Sequence, residues 1–512
     1  MGRSRGDGWV QALDFNRALK NCHLDFIGDW YRDPWGWFEL DWCVREAISE
    51  VVEPHVRGSG VFEVARLDVP KENFSVRPAV VIDPLDRLCY QAVVDRLSSR
   101  LIGSLAGWAY GWRLSRKRPR AGYWLSQGRE WERYRSRLKW LATWYRAALK
   151  TDIVSFFSSV PIDRLSEDIL QLAGSGVGRR LVDMLAGFDA VHGRSGIPQR
   201  SAASAVLAHF YLMSLDEVLG SHAQARGLAA TMFSEGRLVR WMDDIWIFGA
   251  TAGPLRKTQV DVELALRDLG LDMNIGKTDV VEGDRVWEEA NRVEHSAVDG
   301  GFESDPPDET PLNELVDRLL TRPEHADRTS VKFATQRMRK HESFSRVGDF
   351  VDNASRMPHA SDALARLFRD SSAWRDLQDW YVDYCRTSWA CVDWSTAQFG
   401  TMFPSSDPGT GVVRDFLAER VDDESLAVAA LASQRLASWD SDTARQAIRE
   451  AAKTANHPLH RRILALAALI AGEKRAFIRG LLREFRQNDL TLRALEAMNF
   501  RRPRAKADFQ GG

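Results

Sequence analysis

At 512 residues, with 44% hydrophobic and 28% charged side chains, the chain can hold two or three domains with sizeable cores. No apolar run approaches the roughly 20 residues that span a bilayer, and "MGRSRGDGWVQALDF" lacks the apolar stretch of a secretory signal, so a cytoplasmic location and no membrane partner are expected. The net charge of −1 conceals strongly basic and acidic blocks, so it does not exclude nucleic acid; five cysteines without a CxxC pair argue against a zinc site and for a reducing compartment.

Residues 1–75 read as mostly helical, with "LDWCVREAISEVVEPHV" (40–56) the best amphipathic run. "RPAVVIDP" (77–84) is a short β-rich run closed by Pro84, and 86–105 is helical. Residues 101–150 contain twelve Lys/Arg against two acids, interleaved with Tyr and Trp. Cations for phosphates and flat rings for bases compose a groove for a single strand or hybrid duplex. Over 129–150 a solvated helix face is the stronger reading. "YGWRLSRKRPR" (110–120) is too charged for a core, which makes Arg113, Arg116, Lys117, Arg118 and Arg120 candidate nucleic-acid contacts.

"RAALKTDIVSFFSSV" (146–160) carries a short strand, and 201–223 reads as one long apolar helix. In "LVRWMDDIWIFG" (238–249), β-rich flanks on both sides of Asp243 and Asp244 predict two strands joined by a tight turn. Residues 258–271 form a helix and 272–283 a turn and strand. The stretch 279–320 holds thirteen acids against three arginines, and 299–315 is rich in Gly and Pro, so it is read as a linker. Beyond it come amphipathic helices, clearest at 426–439, 442–456, 458–473 and 474–487, in the manner of a helical solenoid or an irregular bundle. The fold class is α+β, divided into 1–290, an acidic linker 291–315, and an α-helical repeat-like domain 316–512.

Two adjacent carboxylates in an apolar hairpin are costly without a positive partner. Asp152, flanked by apolar residues, is the third acid available. In chain order the segments resemble a reverse transcriptase. "KTDIVSFFSSV" resembles motif A, "GIPQRSAASAVLAHFYL" (196–212) motif B, "WMDD" the YxDD box, and "LDMNIGKTDV" (271–280) motif D. "VPKENFSVRPAVVIDPLDRLCYQAV" (69–93) resembles the fingers segment, followed by "YGWR" where the family has YGxR. The resemblance covers about residues 60–285 and implies a right-hand fingers and palm.

It further implies two Mg²⁺ ions held by Asp152, Asp243, Asp244 and the Ile153 carbonyl, for nucleotidyl transfer from dNTPs. Lys71, Arg77, Gln199 and Lys277 would contact the nucleotide, and Phe157 would be the steric gate against a ribose 2′-hydroxyl, with Phe156 facing the core. Two departures stand out: Arg200 replaces the Gly of PQG, and Trp241 replaces the Tyr of YxDD near the primer end. That Gly lets the backbone approach template or substrate closely, so Arg200 would either narrow the space or grip a phosphate; both residues are candidate nucleic-acid contacts, and both changes set ordinary processive copying in doubt.

With the C-terminal helices, the chain most resembles bacterial abortive-infection and other defence-associated reverse transcriptases. That likeness implies antiphage function, a DNA product, protein-primed or non-templated synthesis in some members, an RNA template or non-coding RNA in others, and trimers or hexamers. The alternatives are a templated retroelement enzyme of group II intron or retron type, and a non-catalytic helical scaffold that binds nucleic acid.

Overall fold

A computed structural model describes residues 7–115, 122–174, 176–191, 193–223, 236–408 and 411–503. The fold is α+β and mostly helical, with two small sheets. Contacts divide the chain into two units that are not consecutive stretches. The first comprises residues 1–25, 52–65 and 82–293; the second comprises 26–51, 66–81 and 294–512. Two N-terminal segments therefore belong with the C-terminal helices rather than with the rest of 1–290.

In the second unit, β1 (Ala65–Pro70) and β2 (Val76–Val81) form a two-stranded sheet. The expected β-rich run is the second of these strands. The intervening turn is closed by the Lys71 N–H donating to the Ser75 carbonyl (2.7 Å). The C-terminal helices stack in an alternating order. Arg328–Lys340, Ser361–Asp370, Asp393–Gly400, Leu426–Trp439 and Pro458–Ile470 each pack against the next in that series, while the helices between them pack alongside. Leu426–Trp439 and Pro458–Ile470 are buried nearly all round, as the central members of such a stack must be.

Residues 26–51 are tied into this unit by charge. Arg462 is buried and donates to Asp33 Oδ2 (2.6 Å) and Glu39 Oε1 (2.7 Å), both carboxylates being buried too. The Thr491 hydroxyl donates to Glu39 as well (2.9 Å). Such a cluster is tolerated only because nearly every lone pair and proton finds a partner.

The first unit is built on a five-stranded sheet in the order β3 (Ala109–Tyr110), β5 (Leu238–Trp241), β6 (Asp244–Gly249), β4 (Ala147–Thr151), β7 (Asp279–Glu282). Only the β3–β5 pairing is parallel. One face buries Ala148, Val239, Trp246, Phe248 and Val281 under Tyr134, Leu138 and Leu141 of the helix Gln127–Trp144. Those helix positions follow the i, i+4, i+7 spacing of a core-facing stripe. The helix Ala252–Asp268 packs on β4, β6 and β7. With both faces covered, the central strands are buried along almost their whole length and show no polar alternation.

Three sequence expectations are corrected. The acidic stretch is helical at Val293–Glu303 and Thr310–Thr321, which leaves only 304–309 between them as connection, and some of its acids are paired, as in Arg337–Asp299 and Arg318–Glu294. The run 201–223 is two helices, Ala202–Tyr211 and Met213–Ala223, bent by 53°. The run 40–56 is broken into Phe38–Glu46, a wide turn at Ile48–Val52, and Glu53–Arg57; Pro54 has no N–H to donate back into that wide turn. Among the described residues no single helix is long and apolar enough to cross a membrane.

Candidate active site

The hairpin and β4 bring the three aspartates together through register. β5 and β6 pair Trp241 with Asp244, so Met242 and Asp243 are the two turn residues. β4 pairs antiparallel with β6 up to Thr151↔Ile245. One step further along, Asp152 stands opposite Asp244. The Asp152 backbone is fixed on its other side, where its carbonyl accepts the Asn274 N–H (2.8 Å) and Ile153 bridges Met273. Ile153 is itself buried.

The turn is strained. Met242 has φ 55°, a left-handed conformation that a two-residue hairpin turn usually assigns to Gly or Asn. Its surroundings enforce it. Met242 is buried, and its carbonyl accepts from Arg240 Nη1 (3.0 Å). Arg240 is fully buried and held by Asp216 through Nε (2.9 Å) and Nη2 (2.5 Å). His209 caps this network, with Nε2 on the Gly111 carbonyl (2.9 Å), and burial keeps its ring neutral by driving its pKa well down. The buried Arg240 network thus holds the backbone of the residue immediately before Asp243.

The electrostatics follow from crowding. The Asp243 carboxyl is pushed up to about 7, first by burial and then by the charge of Asp152, with which it is in hydrogen-bonding contact. Asp244 is also raised by burial, offset by the Tyr134 hydroxyl that donates to its Oδ2 (3.1 Å). Asp152 Oδ2 accepts from Asn274 Nδ2 (3.0 Å) and faces Lys277 Nζ at 3.1 Å. The exposed Lys277 is thus the cation paired with Asp152, while the charges of Lys150 and Arg292 act on Asp244. Among the described residues, no group of three His, Cys, Asp or Glu side chains is gathered tightly enough to hold a metal as it stands. The donor chemistry, carboxylate oxygens that already attract a cation, is that of a hard divalent ion.

Phe157 does not lie on a strand. It sits with buried Phe156 in the one-turn helix Phe156–Ser159, the two rings 5.4 Å apart. The segment from Ser195 is stitched onto this turn. The Ile197 N–H donates to the Phe157 carbonyl (2.8 Å), the Ser195 hydroxyl to the Ser158 carbonyl (2.7 Å), and Gln199 Nε2 reaches Ser158 Oγ (3.4 Å). Gly196 is required at this seam: it has φ 77°, and a Cβ would meet the Phe157 carbonyl oxygen at 2.2 Å. Phe157 and Gln199 are thereby neighbours. Arg200 has φ 58°, so the position keeps the backbone that a Gly would adopt there, and its carbonyl accepts from Arg87 (2.7 Å).

The expected nucleic-acid contacts divide. Arg116, Lys117, Arg118 and Arg120 lie outside the described residues. Arg113 is turned to the main chain, its Nη1 donating to the carbonyls of Ala106, Gly107 and Ala109 (3.3, 3.0 and 2.8 Å), so it braces β3. Trp241 is half-buried among Trp112, Trp131 and Tyr134, with Trp131 edge-on at 5.0 Å. Lys71 and Arg77 belong to the second unit, where Arg77 lies over the Trp30 ring at 5.3 Å and Arg328 over the same ring at 5.4 Å.

Sequence reasoning missed Tyr134, Arg240, Asp216 and Asn274. Tyr134 shares a helix stripe with Leu138 and Leu141, and Arg240 interrupts an apolar strand, so both carried a signal of burial. Comparison of the chain with family models and with curated proteins gives no match.

Proposed function

We propose that this protein is a nucleotidyl transferase of reverse transcriptase type that extends DNA from dNTPs. The observation that carries the reading is the convergence of Asp152 with Asp243 and Asp244, acids 91 residues apart in sequence between the first pair, onto one corner of a sheet whose fully formed register leaves them mutually repelling. A scaffold that only bound polyanions would gain nothing from three carboxylates there. Asp152, Asp243, Asp244 and the Ile153 carbonyl would hold two Mg²⁺, which when bound would supply Lewis acidity at the attacking and leaving oxygens. Asn274 and Tyr134 orient the outer two carboxylates, and the Arg240 brace holds the backbone just before the middle one. Lys277, already beside Asp152, is placed to meet a phosphate or to give it a proton. Phe157, held against Gln199 by the Gly196 seam, would exclude a 2′-hydroxyl.

Action in antiphage defence, a non-coding RNA or protein primer, and assembly as a trimer or hexamer are part of the proposal on the strength of the family resemblance alone. The test is incubation of purified full-length protein with labelled dNTPs and Mg²⁺, with and without co-purified RNA. Incorporation is expected, and Asp243→Ala with Asp244→Ala abolishes it. No incorporation by wild type under either condition overturns the reading. In the same assay Phe157→Ala is expected to admit ribonucleotides, with discrimination falling roughly a hundredfold.

A further inference from the structure

A second electrostatic imbalance lies beside the aspartates. Next to Tyr134, which bonds Asp244, stands Arg135, half-buried on the helix Gln127–Trp144. The helix Asp284–Asn291 packs against that helix and ends at Arg292, a half-buried residue with left-handed backbone (φ 49°). Among the described residues neither guanidinium makes a hydrogen bond or an ion pair. The contrast with Arg285 on the same short helix is direct: that arginine reaches both Asp279 (3.1 Å) and Glu289 (3.0 Å).

Arg135 and Arg292 are instead close enough to repel. Burial and then the Arg292 charge hold the Arg135 pKa down, and both arginines act on Tyr134. Asp244, which lies in the field of both, is engaged by Tyr134 and belongs to the aspartate group. Two like charges half withdrawn from water with no anion between them is unfavourable in the free protein and becomes favourable once an anion arrives.

We propose that Arg135 and Arg292 form a phosphate-binding site. Paired guanidinium forks match phosphate oxygens in geometry as well as charge. Trp131, one helical turn before Arg135, packs on Tyr134 and Trp241 yet stays 39% exposed, an aromatic ring at the surface beside the arginines against which a base would stack. The phosphate is therefore assigned to the backbone of a single nucleic-acid strand. The choice of strand rests on the function proposed above; the anion site rests on the arginines.

The test needs neither metal nor nucleotide, so it is independent of whether the protein polymerises. Full-length protein in EDTA is titrated into a labelled oligothymidylate of about 20 nucleotides across a salt series. Arg135→Gln with Arg292→Gln is expected to weaken binding by roughly tenfold and to make the salt dependence shallower by about 1.4, the value for two single-strand phosphate contacts. The same variant is expected to melt no lower than wild type, since a repulsion is removed, which separates lost binding from lost folding. Arg135→Lys with Arg292→Lys keeps the salt slope. A second arm measures stabilisation by pyrophosphate; loss of that alone supports the site but assigns it to a free phosphate. Unchanged affinity for both probes overturns the proposal.

Discussion

Replacing Asp243 by Asn is expected to stabilise the metal-free protein at neutral and alkaline pH. The folded-state pKa of Asp243 is about 7, against about 3.9 in an unfolded chain. The unfolded chain therefore ionises first as pH rises. Stability that is complete below about pH 4 is lost progressively up to about pH 7 and stays lost above it. Three pH units at 1.36 kcal/mol each set an upper bound of about 4 kcal/mol, which makes the working range about 2–4 kcal/mol.

For a unit of some 250 residues that corresponds to a rise in melting temperature of roughly 5–10 °C. Thermal melts in EDTA at a series of pH values from 5 to 8 would read it: the variant should lie above wild type, with the gap widening to pH 7 and level beyond. Added Mg²⁺ should raise wild type and close the gap, because a ligand of the folded state stabilises it. An Asp243→Asn protein that melts at or below wild type at pH 8 without metal would refute the account of crowded carboxylates.

Arg240→Met strands Asp216 as a buried, unpaired carboxylate and should cost about 3–5 kcal/mol in urea denaturation; a loss under 1 kcal/mol means the brace is not formed. Lys277→Met removes the cation beside Asp152, so Mn²⁺ titrated by electron paramagnetic resonance should bind several-fold more tightly while nucleotide incorporation falls about a hundredfold or more; weaker Mn²⁺ binding contradicts the ion pair seen here. Arg200→Gly relieves a left-handed non-glycine residue and should leave stability unchanged or raise it by up to about 1 kcal/mol in the same denaturation assay; a marked loss would show that the Arg200 side chain, not its backbone, holds the segment.

The strands around Asp243 and Asp244 and the helix Leu426–Trp439 were legible because local pattern and tertiary role agree: β-rich flanks about a turn, and a long apolar run in a buried row. The bend between Tyr211 and Met213 was not, because Leu212 is no helix breaker and nothing local in the sequence marks it. Nothing in "WMDD" announces the left-handed Met242, whose cause lies in Arg240 and Asp216 beneath it. Arg113 looked like a phosphate contact because a cation in a basic run gives no sign that three carbonyls will claim it. The membership of residues 26–51 in the second unit was illegible for a simpler reason: Asp33 and Arg462 are 429 positions apart.

That separation has a consequence during synthesis. Asp33 and Glu39 leave the ribosome 429 and 423 residues ahead of the guanidinium that neutralises them. Until then the N-terminal segment must keep its carboxylates in water, so the second unit cannot close early. A message cut short before Arg462 would yield a protein with its first unit complete in sequence and two acids with nowhere to be buried. Synthesis as far as Arg462 is thereby built into the fold as a condition for burying these acids.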